Sequence, residues 1–107
     1  MREKLEKLLA QGRDSALLRF GLGDACLKEH DAGQAALHLA QATQQQAGYS
    51  AAWKLLGKAL QQLGRLDEAQ AAWTTGVTVA QQKGDLQAVK EMTVFLKRLQ
   101  KQQQAAE

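Results

Sequence analysis

Residues of the same kind recur 34 positions apart, and nothing else in the chain restricts its fold as strongly. Gly23 and Gly57 keep that spacing, each behind a leucine, Leu22 and Leu56. Ala25 and Ala59 keep it, as do Ala35 and Ala69, while Leu39 answers Trp73 and Ala42 answers Gly76. Self-similarity at a fixed period of this length marks a stack of like supersecondary units, each too small to bury its apolar face alone. The 107 residues therefore make one small domain of two units with closing elements at either end.

The units are helical. Ala, Leu and Gln dominate and proline is absent. Such residues lose little on entering a helix. No stretch alternates apolar and polar residues as a strand would. Glycines and capping residues divide the chain. Leu5, Leu8 and Leu9 lie on a first short helix, ended by Gly12-Arg13-Asp14-Ser15, which also caps the next. The second helix spans about Ala16 to Glu29 with Leu18, Leu22, Ala25 and Cys26 on one stripe. His30-Asp31-Ala32-Gly33 turns the chain into a third helix facing inward through Ala35, Ala36, Leu39, Ala40 and Thr43.

Gly48-Tyr49-Ser50 breaks the chain again, with Ser50 the expected N-cap of a helix through Gln62. Its stripe is Trp53, Leu56, Ala59, Leu60 and Leu63. Gly64-Arg65-Leu66-Asp67 leads to a fifth helix carrying Ala69, Ala72, Trp73, Gly76 and Val77. Gly84-Asp85 caps a last helix with Leu86, Val89, Met92 or Thr93, Leu96 and Leu99. The expected organisation is a single domain, 1–107: an N-terminal helix within 1–15, repeats over 16–49 and 50–83, a capping helix over 84–101, and a polar, frayed tail over 102–107.

The second unit resembles the tetratricopeptide repeat (TPR) family. Trp53-Lys54-Leu55-Leu56-Gly57 matches its Trp-x-x-Leu-Gly motif, and Leu60 stands where an aromatic is common. Gly64-Arg65-Leu66-Asp67-Glu68-Ala69 looks like its interhelical turn, and Trp73 fills its large-aromatic position. The first unit is more degenerate, with Arg19 where Trp53 stands in the second. The resemblance covers Ala16 to Lys83. The family's closing proline is missing, so the fifth helix is expected to run on through Lys83 without a sharp stop.

The resemblance implies an all-α fold, an α-solenoid of antiparallel helix hairpins whose first helices line a concave binding face. Carried onto this sequence, that face comprises Leu17, Phe20, Asp24, Leu27 and Lys28 from the first unit. Ala51, Lys54, Lys58, Gln61 and Gln62 come from the second. Lys54 and Lys58, four residues apart, share one side of a helix. An acidic or C-terminal peptide would suit the face, its apolar anchor near Phe20 and Leu27 and its charge near the lysines. The two-carboxylate clamp of some family members is absent, because Phe20, Asp24 and Leu55 occupy its positions.

Chemistry is hard to find. His30 and His38 read as surface residues, with no carboxylate or cysteine completing a metal set. Cys26 lies on an inward stripe, where a thiol packs as a hydrophobe and lacks the exposed, electropositive setting of a nucleophile. Gly21-Leu22-Gly23 follows no strand and lacks the third glycine of a phosphate loop. No catalytic residue, metal or cofactor is expected.

The net charge of +3 is spread thinly. Residues 1–14 hold four basic and three acidic groups, and 86–107 hold four and two. That is no nucleic-acid footprint. The charged N-terminus lacks the apolar region of a signal peptide, and no run could span a membrane. The expected function is a cytoplasmic, non-catalytic adaptor or assembly factor that binds a protein or peptide, with neither nucleic acid nor membrane as partner. The alternative is a self-associating structural protein, a homo-oligomer. A minor alternative is weak nucleic-acid binding by Lys90, Lys97, Arg98 and Lys101.

Overall fold

The computed structural model describes residues 1–106, with side chains through 105. It contains α1 (Arg2–Ala10), α2 (Ala16–Lys28), α3 (Ala32–Gln45), α4 (Ser50–Gln62), α5 (Leu66–Lys83) and α6 (Leu86–Ala106), and no strand among the described residues. α5 does run to Lys83, but its stop is sharp where none was expected, because Gly84 in the left-handed region closes it. α6 stays helical through Ala106, past the expected end at residue 101. Glutamine and alanine favour helix, and no glycine or proline follows Gly84 to stop it. Of the expected frayed tail, Glu107 lies outside the described residues.

Four helix ends share one geometry. In each, a residue at positive φ follows the helix, and the next backbone N–H reaches back to a carbonyl of the last turn, a Schellman closure. The bonds are Arg13 to Leu8 (3.1 Å), Asp31 to Cys26 (2.8 Å), Arg65 to Leu60 (2.9 Å) and Asp85 to Ala80 (2.9 Å). Glycine holds the strained position at 12, 64 and 84, but His30 holds it after α2 with φ 62°. His30 and Gly64 are one repeat apart, so the first unit makes its turn with a residue that resists it.

Caps set the helix starts. Ser15 Oγ accepts from the Leu18 N–H (3.1 Å), Asp31 Oδ1 from Gln34 (3.2 Å) and Asp85 Oδ1 from Ala88 (3.1 Å). Ser50 departs from expectation. It is the first residue of α4, not its cap, and its buried hydroxyl donates to Asp85 Oδ2 (3.0 Å). One carboxylate thus caps α6 and ties it to the start of α4.

The repeated glycines explain how each hairpin closes. A methyl at Gly57 would overlap the Trp73 indole, and one at Gly23 would overlap the Leu39 side chain. Trp73 and Leu39 fill the same space one repeat apart, each almost fully buried. Trp73 Nε1 donates to the Lys54 carbonyl (3.0 Å) and Trp53 Nε1 to that of Ala47 (2.8 Å). Leu63 and Leu86, expected inside, are exposed, whereas Met92 and Leu99 are buried. Leu63 already belongs to the turn after α4, and Leu86 opens α6 before it meets α5.

The helices form two layers. Neighbours in sequence pack as antiparallel partners, and α2 also touches α4 as α4 touches α6. α1, α3 and α5 do not touch one another. The array therefore bends toward the α2/α4/α6 layer, which forms its inner, concave side, and splays on the other.

Candidate partner-binding site

The residues expected on the concave face divide into separate groups. α2 presents two sides. Phe20 and Leu27 turn toward α4, with the Phe20 ring stacked on Tyr49 at 5.0 Å between centroids and Leu27 packed against the core. Leu17, Asp24 and Lys28 turn toward α1 and line a different recess. Lys28 Nζ lies 3.0 Å from Asp24 Oδ2, one turn back on the same helix.

On α4 the two lysines part company. Lys54 Nζ lies 3.3 Å from the Glu91 carboxylate of α6 and is largely covered. Lys58 Nζ sits 5.0 Å from the centre of the Phe95 ring, a cation–π arrangement. Lys58, Gln61 and Gln62 line a pocket of about 290 Å³ with Trp73, Phe95 and Arg98. Among the described residues, no carboxylate pairs with Lys58 or Arg98. Ala51 is half-buried on the first turn of α4.

Phe95 and Arg98 were not among the residues assigned to the binding face from sequence. The register could have found the first: Phe95 stands one repeat length beyond Gln61. α6 lacks the glycine and tryptophan landmarks of the second unit, so apolar spacing alone marks its inward face.

The recess between α1 and α2 has a volume of about 670 Å³. Met1, Leu5 and Leu8 line one wall, and Leu17, Leu18, Gly21 and Ala25 the other. Leu17 is 72% exposed.

His38 does not lie on the surface as expected. It is buried between the two hairpin helices, its Nδ1 3.2 Å from Arg19 Nη1. Arg19 also holds Asp14 through two bonds, Nε to Oδ1 (2.8 Å) and Nη2 to Oδ2 (2.9 Å), and Gln45 donates to the same carboxylate (3.1 Å). These partners keep the Asp14 carboxyl well below the usual carboxylate range. Burial, then the nearby Arg19 and Arg2 charges, push the His38 imidazole below its ordinary value, so Nδ1 accepts from the guanidinium. Arg19 replaces Trp53 of the second unit, and the network around it supplies the order that an indole supplies there.

Cys26 is fully buried, and burial pushes its thiol up. That is the setting of an inert packing residue. Among the described residues, no group of three His, Cys, Asp or Glu side chains could hold a metal ion. No described helix is long and apolar enough to cross a membrane.

Known proteins match this architecture. The tetratricopeptide repeat model matches residues 27–92. A TPR repeat-containing protein of Pseudomonas aeruginosa is 56% identical over 99 residues, covering 92% of this chain and 94% of the relative. A Bordetella parapertussis protein solved in solution superposes with a TM-score of 0.82 at 45% identity, covering 95% of this chain and 89% of its own. The crystal structure of a Salinibacter ruber tetratricopeptide repeat domain gives 0.76 at 22% identity over 81% and 97%, a likeness of fold alone. Repeat period, hairpin packing and these matches agree, and the chain belongs to the tetratricopeptide repeat family.

Proposed function

We propose that the chain is a non-catalytic protein-interaction module, an adaptor or assembly factor, that binds a partner peptide on its concave α2/α4/α6 face. The observation that carries this is the pocket where Lys58 and Arg98, two bases that pair with no carboxylate among the described residues, flank Phe95. A side-chain or C-terminal carboxylate entering it would meet two cations, and charge-assisted bonds of this kind are the strong ones. The half-buried Phe20 and Leu27 offer an apolar anchor further along the same layer. Lys54 is already held by Glu91, so the anionic role passes from the Lys54–Lys58 pair to Lys58 and Arg98. The lone thiol, Cys26, fits a reducing setting such as the cytoplasm.

The test compares wild type with a Lys58→Glu, Arg98→Glu double variant, its fold checked by circular dichroism. Both serve as bait in lysate of the source organism. The captured protein is then made recombinantly and titrated against each form. Binding by wild type that is lost in the folded variant supports the pocket. Equal binding by both places the site elsewhere. Capture of the chain's own copies alone favours a self-associating structural role.

A further inference from the structure

The helices of this array sit on one another by a rule. α4 rests on α3 and α2, and α6 rests on α5 and α4. α1 stands one repeat before α3 and α2 one repeat before α4, so the recess between α1 and α2 offers a further helix the seat that α2 takes on α3 and α4. It follows α2 from Leu17 to Lys28, about 16 Å at about 1.5 Å per residue, or about three helical turns. Its floor is the contact where Leu5 lies on Gly21.

Its charges are already sorted. Asp24 is held by Lys28, and Glu29 by Arg2 at 3.5 Å. Among the described residues, Arg13 is the basic side chain of the lining that meets no carboxylate, and it stands at the end where α2 begins. α2, α4 and α6 run in one direction, so a helix continuing their layer would start beside Arg13. Acidic residues in a first helical turn are favoured by the helix dipole, and here they would also meet the guanidinium.

We infer that the α1–α2 recess is a second interaction surface, distinct from the Lys58–Arg98 pocket, that seats an amphipathic α-helix of a partner protein, with leucine-type anchors against Leu5, Leu8, Leu17 and Gly21 and acidic residues in its first turn against Arg13. The occupant lies parallel to α2 and extends the solenoid by one helix. Its anchors recur at helical spacing, as in other grooves that take an amphipathic helix.

The experiment uses the full chain, ¹⁵N-labelled, and a synthetic helical peptide of about three turns. The peptide carries leucines at i, i+3 and i+7 with glutamates in its first turn. A second peptide has serines for leucines, and a third has lysines for glutamates. The first peptide is expected to shift the amides of Leu5, Leu17, Gly21 and Ala25 saturably. The serine peptide is expected to shift none of them. Leu17→Glu, at an exposed position that leaves the core intact, should weaken binding about tenfold or more, since one leucine anchor loses its cover. Arg13→Glu should reverse the preference between glutamate and lysine peptides. Shifts confined to α4 and α6, no saturable shift, or binding indifferent to Leu17→Glu would overturn the inference. So would a mass that rises with concentration and returns to the monomer on Leu17→Glu, because the occupant would then be a second copy. The Lys58→Glu, Arg98→Glu variant should bind the peptide unchanged, which separates this surface from the concave pocket.

Discussion

Replacing Gly57 with alanine asks one methyl group to share space with the Trp73 indole. The added carbon would overlap ring atoms Nε1, Cδ1 and Cε2 together, so no small tilt of the ring relieves the contact. The ring has little room to retreat. Trp73 is 1% exposed, and Phe95 lies 5.2 Å away between centroids. Moving it also breaks the Nε1 bond to the Lys54 carbonyl. Overpacking of this kind costs about 1–3 kcal/mol, and the lost hydrogen bond about 1 kcal/mol. Against this, alanine is the better helix former by about 1 kcal/mol. The net expectation is a destabilisation of about 1–3 kcal/mol. Gly21→Ala supplies the comparison on a neighbouring repeat helix. A methyl there meets only the end of the flexible Leu5 side chain at 3.3 Å, so the helix-forming gain should leave that variant as stable as wild type or slightly more so. Urea unfolding monitored by circular dichroism measures both. With a slope of about 1–3 kcal/mol per molar, the Gly57→Ala midpoint should fall by roughly 1 M while the slope holds. Equal midpoints for Gly57→Ala and wild type would refute the claim that this glycine serves close helix approach. A matching loss in Gly21→Ala would do the same.

Other expectations follow from the turns, the caps and the buried polar network. His30→Gly should stabilise the chain by about 0.5–1 kcal/mol, the relief of the left-handed backbone less the entropy glycine adds to the unfolded chain, read as a rise in melting temperature of a few degrees. Asp85→Ala removes both the cap of α6 and the acceptor of the Ser50 hydroxyl, and should cost about 1–2 kcal/mol in the same urea assay, with Asn restoring part of it. The unfolded His38 takes up a proton near its ordinary value of about 6.5, whereas the folded imidazole binds it only at lower pH. Its contribution is therefore fully present above pH about 6.5 and declines as pH falls below that value. Urea midpoints measured between pH about 7.5 and about 5 should fall in wild type and vary less in His38→Gln; equal declines would assign the dependence to other groups. The ion-paired Asp14 carboxylate adds its loss only in stronger acid, below the unfolded carboxylate value of about 3.9.

The repeat made most of the fold readable. The Gly57–Trp73 and Gly23–Leu39 contacts are local to one hairpin, and their residue types and spacing say what must touch. Glycines at 12, 64 and 84 and caps at Ser15 and Asp85 act within a few residues and were equally plain. What escaped depends on side chains meeting across helices. Ser50 has the chemistry of an N-cap, yet its hydroxyl goes to a carboxylate 35 residues away. His38 reads as a polar surface residue until Arg19 from the neighbouring helix is placed beside it. Lys54 reads as free until α6 brings Glu91 over it. The candidate face divides for the same reason. Spacing along α2 put Leu17, Asp24 and Lys28 with Phe20 and Leu27, but packing on two different neighbours turns them to separate surfaces.

α1 has no buried residue and packs on no helix but α2, its one further hold being the Arg2 ion pairs to Glu29 and Asp31 in the turn beyond. In a linear array whose members hold mainly their neighbours, such a terminal helix can detach without disturbing the rest. Its amide protons should therefore exchange with solvent well before those of α4 or α5, through openings far smaller than global unfolding. The recess beside α2 inherits that looseness. A helix seated there would hold α1 down, so its arrival would be recorded most clearly as slowed exchange in a segment it only partly covers.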